Sequence, residues 1–296
     1  MTRLRRSLHF VPGGNERMVQ KALALPADGL ILDLEDAVTV EKKAEARVTV
    51  TGWLKQLDFG RKERLVRINP LDSGYGEADL EATIPGRPDG YVIPKPRRAE
   101  DILAVAAILD RLEMLQGLSR GSVRLLAIAT ESPEALLNIA EIAKASPRLV
   151  ALTWGMEDLS AAMGILQTRT GEGELLDLFR YARMMTLLAA SAAGIEAIDT
   201  VFTDIHDLDR LKTESLEAAQ MGFAGKLSIH PSQIDVINQA FIPSASEVQE
   251  AEALLQAFEA SRAEGEGAFR FRGQMMDAPH VSRAKKLLER ARYTGG

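Results

Sequence analysis

Short apolar runs recur along this chain, and most of them stop at a charged residue. Gly29-Leu30-Ile31-Leu32 meets Asp33, Glu35 and Asp36, Leu65-Val66 meets Arg67, and Tyr91-Val92-Ile93 meets Lys95. Leu125–Ala129 meets Glu131, and Leu149–Leu152 leads through Trp154-Gly155 to Asp158. Eight runs read as strands: Arg6–Val11, Leu30–Leu34, Leu65–Ile68, Tyr91–Ile93, Arg124–Ala129, Leu149–Thr153, Glu196–Phe202 and Lys226–Ile229. Between most of them, apolar residues spaced by three and four predict helices. One stripe is Ile102, Val105, Ala106, Ile108 and Leu109. A second is Leu175, Leu178, Phe179, Met184, Leu187 and Leu188, and a third is Leu208, Leu211, Leu216 and Ala219. Strands alternating with helices imply a parallel sheet. Eight such units match an α/β TIM (β/α)8 barrel, whose C-terminal strand ends carry the chemistry. A strand that only filled a core would have no reason to end in charge.

The chain continues past the eighth run. Pro231 and a helix start near Ser232 are followed by Pro243-Ser244 and a helical stretch from Ser246 to Ala263. Glu264-Gly265-Glu266-Gly267 reads as a flexible link, Ala268–Arg272 as a short extended piece, and Val281–Ala291 as a last amphipathic helix. The expected division is a barrel over residues 1–242 and a C-terminal helical extension and lid over 243–296. That tail exceeds what a barrel needs. It either caps the barrel or reaches over a neighbouring subunit.

Composition narrows the function classes. The 296 residues are 46% hydrophobic, enough for a large core, and the net charge of -6 is spread along the chain. No basic stripe offers a nucleic-acid surface. Cysteine is absent, which excludes disulfides, thiol nucleophiles and cysteine-zinc sites. Met1-Thr2-Arg3-Leu4-Arg5-Arg6 has the charge of a signal-peptide start, but Leu8–Val11 is too short for its apolar core and Pro12-Gly13-Gly14 ends it. No stretch approaches the roughly 20 apolar residues of a membrane helix. A soluble, cytoplasmic enzyme is expected.

The charged strand ends are the candidate chemistry. Glu131 and Asp158 lie just past consecutive strands, so two carboxylates can converge on one point. Magnesium is held this way, by one or two protein carboxylates, waters and substrate oxygens. Zinc fits poorly, because no histidine pair has ligand spacing. The competing reading makes Glu131 the cap of a helix starting at Pro133 and Asp158 part of a turn after Gly155. Arg67 suits a carboxylate or a developing enolate oxygen; its plainer role is an ion pair with Asp33, Glu35 or Asp36. Those three acids would order metal-bound water or orient Arg67. Lys95, between Pro94 and Pro96, is a Schiff-base candidate or an ion-pair partner of the acids, and metal chemistry is favoured over an imine. His230 ends the eighth run and would position substrate or serve as a buried structural histidine; His9, His206 and His280 are weaker candidates. Walker and Gly-x-Gly-x-x-Gly motifs are absent, and the Gly-x-Ser-x-Gly pattern at Gly117–Gly121 precedes a strand-like run and does not follow one, the wrong context for a nucleophile elbow.

Taken in order, these motifs resemble the citrate lyase β-subunit-like family of the HpcH/HpaI aldolase superfamily, with its malyl-CoA, β-methylmalyl-CoA and citramalyl-CoA lyases. The resemblance rests on Arg6–Gly13, Leu32-Asp33-Leu34-Glu35-Asp36-Ala37-Val38, Lys43, Ala46-Arg47, Val66-Arg67-Ile68-Asn69, Ile93-Pro94-Lys95, Glu131-Ser132-Pro133, Trp154–Leu159 and Gly225–Pro231. It implies Mg²⁺, or Mn²⁺ in its place, held by Glu131 and Asp158. It implies that Arg67 contacts acyl or oxoacid oxygens and that Phe10 and Lys21 contact CoA. It also implies that Asp277, in Gly273-Gln274-Met275-Met276-Asp277, reaches a neighbouring subunit's site as the proton carrier. His9 is a departure, since hydrophobic residues are frequent at that position. The implied reaction is Mg²⁺-dependent cleavage of a 3-hydroxy-3-carboxyacyl-CoA into acetyl-CoA or propionyl-CoA and a 2-oxoacid, glyoxylate or pyruvate. The implied assembly is a homo-oligomer, trimer or hexamer. A citrate lyase β subunit acting on a citryl acyl-carrier-protein thioester, a malyl-CoA thioesterase and a malate synthase-like activity are the alternatives.

Overall fold

The computed structural model describes residues 3–263 and 268–294; the expected link at Glu264–Gly267 lies outside them. Eight parallel strands close into a barrel in chain order: β1 (Ser7–Pro12), β2 (Gly29–Asp33), β3 (Glu63–Arg67), β4 (Gly90–Ile93), β5 (Arg124–Ile128), β6 (Leu149–Thr153), β7 (Glu196–Asp199) and β8 (Gly225–Ser228). The expected TIM barrel is therefore present. Helices follow the strands: α1 (Glu16–Ala24), α2 (Lys43–Gln56), α3 (Gly76–Thr83), α4 (Ala99–Leu115), α5 (Pro133–Leu137), α6 (Ile139–Lys144), α7 (Met156–Met163), α8 (Asp177–Ala193), α9 (Leu208–Met221) and α10 (Pro231–Ala240).

Side-chain alternation explains how apolar runs deliver charge to one mouth. Leu8, Ile31, Leu65, Val92, Leu126, Ala151, Ile198 and Leu227 form one buried cluster inside the barrel. A step of two residues keeps a side chain on the same face of a strand. Two residues beyond Leu8, Ile31 and Leu65 stand Phe10, Asp33 and Arg67. The opposite pole is closed by ion pairs: Arg5 grips Glu63 at 2.6 and 2.8 Å and Glu196 at 2.6 Å. β1 meets β8 through Ser7↔Lys226, Leu8↔Leu227 and His9↔Ser228. Gly225 permits this seam, because a Cβ there would sit 1.8 Å from the Arg5 carbonyl oxygen.

Two helical stripes differ from expectation. In α8 the buried face is Phe179, Ala182, Arg183, Thr186, Ala189 and Ala190, while Met184 and Leu188 point outward at 46% and 62% exposure. A buried ion network decides the face. Asp199 on β7 accepts bonds from Lys226 at 2.8 Å, Trp154 Nε1 at 2.8 Å and Arg183 at 3.2 Å. Turning Arg183 inward brings small residues with it and leaves the large ones outside. In α9 the buried residues are Leu211, Ser215 and Ala218, and Leu216 is exposed.

The chain divides into two compact units, Arg5–Asn238 and a second made of Gln239 onward with the first few residues. In the second, α11 (Ala245–Ala263), α12 (Ala278–Thr294) and a hairpin of β9 (Phe269–Phe271) and β10 (Gln274–Met276) pack through Ala251, Leu254, Phe269, Val281 and Ala284. The sequence pattern predicts one extended piece here, and the structure has two antiparallel strands. Arg272 and Gly273, at φ 48° and 82°, form the left-handed turn that hairpins favour. No helix among the described residues is long and apolar enough to cross a membrane.

His9 faces out of the barrel, buried, with Nδ1 3.0 Å from Ser228 Oγ across the β1–β8 seam. Burial, with a smaller contribution from His230, lowers its pKa from 6.5 to about 4 against the opposing bond to Ser228. Between those values the unfolded chain binds the proton and the folded one does not, so stability is full above pH 6.5 and falls as the pH drops toward 4. The shift is worth up to about 3 kcal/mol. His9→Asn should flatten that part of the stability profile relative to wild type, measured by urea unfolding at pH 7, 6, 5 and 4.5. An unchanged difference between pH 7 and pH 4.5 would contradict it.

Candidate active site

β2 ends at Asp33, and the carboxylate folds the next residues back over the barrel mouth. Its oxygens accept the backbone N–H groups of Glu35 at 2.9 Å and Ala37 at 3.1 Å. The same oxygens hold Arg67 in a fork, Nε at 2.7 Å and Nη2 at 2.6 Å. Arg67 Nη1 lies 2.9 Å from Glu35 Oε2, and the guanidinium stacks 4.8 Å from the centre of the Phe10 ring. Burial would lower the Arg67 pKa, but Asp33, Glu35 and Asp36 more than reverse this and raise it. The plainer role expected for Arg67, an ion pair with the acidic cluster, is thus present. It leaves the guanidinium lining the cavity.

Lys95 follows β4 in a left-handed conformation, φ 52°, uncommon for a residue with a side chain. Its backbone N–H donates to Glu131 Oε2 at 2.5 Å. Its ammonium lies 2.7 Å from Glu35 Oε1, 3.5 Å from Asp36 Oδ1 and 3.3 Å from Asp158 Oδ1. The ion-pair reading of Lys95 therefore matches its geometry. Burial opposes its charge, yet those acids raise its pKa.

Glu131 is buried beyond the end of β5. Burial, followed by repulsion from Glu35 and Asp158, holds its pKa well above the usual carboxylate range, against the pull of Lys95. Burial likewise raises Glu35, against Arg67 and Lys95. Glu131 does not cap the following helix: Ser132 does, accepting from the Ala135 N–H at 3.1 Å. Asp158 sits in the first turn of α7, where a carboxylate faces the positive helix end. Gly155 completes this arrangement. A Cβ there would lie 2.5 Å from Glu131 Cγ, and its N–H donates to Thr130 Oγ1 at 3.1 Å.

These side chains surround one cavity of about 430 Å³. Asp33, Asp36, Arg67, Glu131 and Asp158 line its polar side; Phe10, Met18, Ile128, Trp154, Met156, Val201 and Leu227 line the rest. Lys21 is exposed on α1 and is not among the lining residues. His230 also stays outside the lining, with Nδ1 2.7 Å from Ser232 Oγ. Asp277, in the second unit, is exposed and 2.6 Å from His280 Nδ1. Sequence reasoning gave no role to the residues that hold the acidic turn from behind. Lys43 Nζ donates to the Leu34 and Glu35 carbonyls, both at 3.0 Å, and Asn69 Nδ2 to the Leu34 carbonyl at 2.9 Å. Their signal was membership of the motifs that carry the family resemblance, which named no role for either. Among the described residues no three His, Asp or Glu side chains form a metal cage.

The model of the HpcH/HpaI aldolase/citrate lyase family matches residues 6–231. The chain belongs to that family. It is 40% identical over 295 residues to the citrate lyase subunit beta of Escherichia coli K12, covering 99% of this chain and 95% of that one. It is 36% identical to the mitochondrial citramalyl-CoA lyase of Mus musculus, covering 96% and 85%. The structure of the protein CitE from Mycobacterium tuberculosis, in complex with magnesium, acetoacetate and coenzyme A, is 36% identical. It superposes with a TM-score of 0.78 over 97% of this chain and 98% of that one. Lyase chemistry is the class of reaction to which this member of the HpcH/HpaI aldolase/citrate lyase family belongs.

The contact between Gly155 and Glu131 gives a direct test of the packing. Gly155→Ala should push Glu131 off the Lys95 amide and destabilise the fold by about 1–3 kcal/mol, the usual cost of overpacking. Chemical denaturation of the two proteins measures it. Equal midpoints and slopes would mean that the close approach is not a constraint.

Proposed function

We propose that the chain is a Mg²⁺-dependent carbon–carbon lyase that cleaves a 3-hydroxy-3-carboxyacyl-CoA to acetyl-CoA or propionyl-CoA and a 2-oxoacid. The observation that carries this reading is the convergence of Arg67, Glu131 and Asp158 on one cavity. The donor set fits magnesium, which takes oxygen ligands and needs only one or two protein carboxylates. Glu131 is a buried acid with a raised pKa, whose charged form a cation would stabilise. The crystal structure of the Mycobacterium tuberculosis relative, with its magnesium and coenzyme A, supports the same cofactor and carrier here.

Glu131 and Asp158 would hold the ion. When bound, it supplies Lewis-acid activation and a template for the substrate hydroxyl and carboxylate. The chain's own groups do the rest. Arg67, fixed by Asp33 and Glu35, faces the oxygen on which negative charge develops. As the hydroxyl proton passes to solvent water, the C2–C3 bond breaks, its electron pair leaving as a thioester enolate and the hydroxyl carbon becoming the carbonyl of the 2-oxoacid. Asp277 from a second copy of the chain protonates the enolate carbon, and in the condensation direction removes that proton. The apolar wall of Phe10, Met18, Trp154 and Met156 limits water around the enolate. Phe10 is assigned to the acyl-CoA side of the cavity; Lys21, on the exposed face of α1, would meet only the outer part of the carrier.

The purified protein with Mg²⁺ should form new carbon–carbon bonds when acetyl-CoA or propionyl-CoA is offered glyoxylate, pyruvate or oxaloacetate, with products identified by mass. Free CoA released along with the hydroxyacid would instead mark thioesterase activity, and turnover restricted to an acyl-carrier-protein thioester would mark a citrate lyase β subunit. Glu131→Gln and Asp158→Asn should each lower kcat/KM by at least about 100-fold, as should chelation of the metal. Full activity in both variants would overturn the metal assignment.

A further inference from the structure

We propose that Lys95 is a positioning residue that serves as the resident counter-cation of the acidic mouth and sets how tightly a divalent ion binds there. The inference rests on the reading that Glu131 and Asp158 hold that ion. It starts from the fact that one residue touches both: the Lys95 N–H meets Glu131 at 2.5 Å and its ammonium lies 3.3 Å from Asp158. The two contacts have different origins. The first is made by the backbone, held in its left-handed conformation between Pro94 and Pro96, whose rings stiffen both flanks. It leaves Glu131 Oε1 as the oxygen available to a ligand. The second is made by a flexible side chain that is 34% exposed.

Charge makes the second contact consequential. Asp33, Glu35, Asp36, Glu131, Glu157 and Asp158 are opposed by Arg67, Lys95 and, behind the acidic turn, Lys43; Arg67 is committed to the buried Asp33 and Glu35, and Lys43 to the Leu34 and Glu35 carbonyls. Lys95 is therefore the cation beside Asp158, and a dication that takes Asp158 must displace or repel it. A lysine suits this role, being a compact charge on a mobile stem rather than a fixed fork. The protein thus carries a competitor that keeps the acids together when no metal is bound and weakens the metal when it arrives.

Titrating substrate-free, full-length protein with Mn²⁺ and following free Mn²⁺ by electron paramagnetic resonance tests this. Lys95→Met and Lys95→Gln keep the backbone bond to Glu131 and remove the competing charge. Each should bind Mn²⁺ about tenfold more tightly than wild type, the effect of one charge close to the ion in a half-exposed site. Lys95→Arg should stay near the wild-type value, and 0.5 M salt, added as a probe at roughly a 4 Å screening length, should shrink the gain. Unchanged or weaker binding in both neutral variants overturns the inference, because a merely structural lysine would loosen the acids when lost. Wild-type binding that Glu131→Gln does not weaken would instead remove the metal reading itself, and the role of Lys95 with it.

Discussion

The fork between Asp33 and Arg67 is the interaction on which the rest of the site depends. Both groups are nearly buried, at 3% and 11% side-chain exposure, so neither is tolerable alone. Paired, they join β2 to β3 and fix the turn that carries Glu35 and Asp36. Arg67 is then presented to the cavity at one angle, with Phe10 beneath it. A guanidinium fixed before substrate arrives needs no reorganisation when negative charge develops, and preorganisation of this kind is where electrostatic catalysis gains most.

The two poles of the barrel treat buried charge differently. Below, Arg5 is matched by Glu63 and Glu196, and on the flank Asp199 is matched by Lys226 and Arg183. The flank cluster is balanced once Glu217 on Arg183 is counted, and the lower one carries a single extra acid. At the C-terminal mouth the acids outnumber the bases. Glu131 is kept there with a raised pKa, a cost that a purely structural design would avoid. Perturbed acids in a cleft commonly mark a functional site, and this imbalance is what supports the proposed cation site at that end of the barrel.

Much of this was legible in the sequence because the period-two alternation of a strand carries side chains from core to mouth without a change of face. The runs ending at Asp33, Arg67 and Lys95 announced the barrel and the charges gathered at its mouth. The α8 stripe misled for a physical reason: Arg183 was needed inside for Asp199, and a polar anchor outweighed the burial of Met184 and Leu188. Gly155 was equally silent, since its role is the absence of a Cβ beside Glu131. The β10 strand was hidden because its turn is made by Arg272 and Gly273, whose left-handed backbone no hydrophobic pattern records. The C-terminal Asp277 follows the short β10 and no barrel strand, and only the family resemblance singled it out.

The central claim is that the charge imbalance at the mouth is a cation site made by Glu131 and Asp158. Anomalous diffraction from crystals soaked in Mn²⁺ addresses it most directly. The account predicts one peak within coordination distance of a Glu131 and an Asp158 oxygen, facing Arg67 across the cavity. A peak elsewhere, or none at these carboxylates with the cavity open to solvent, would contradict it.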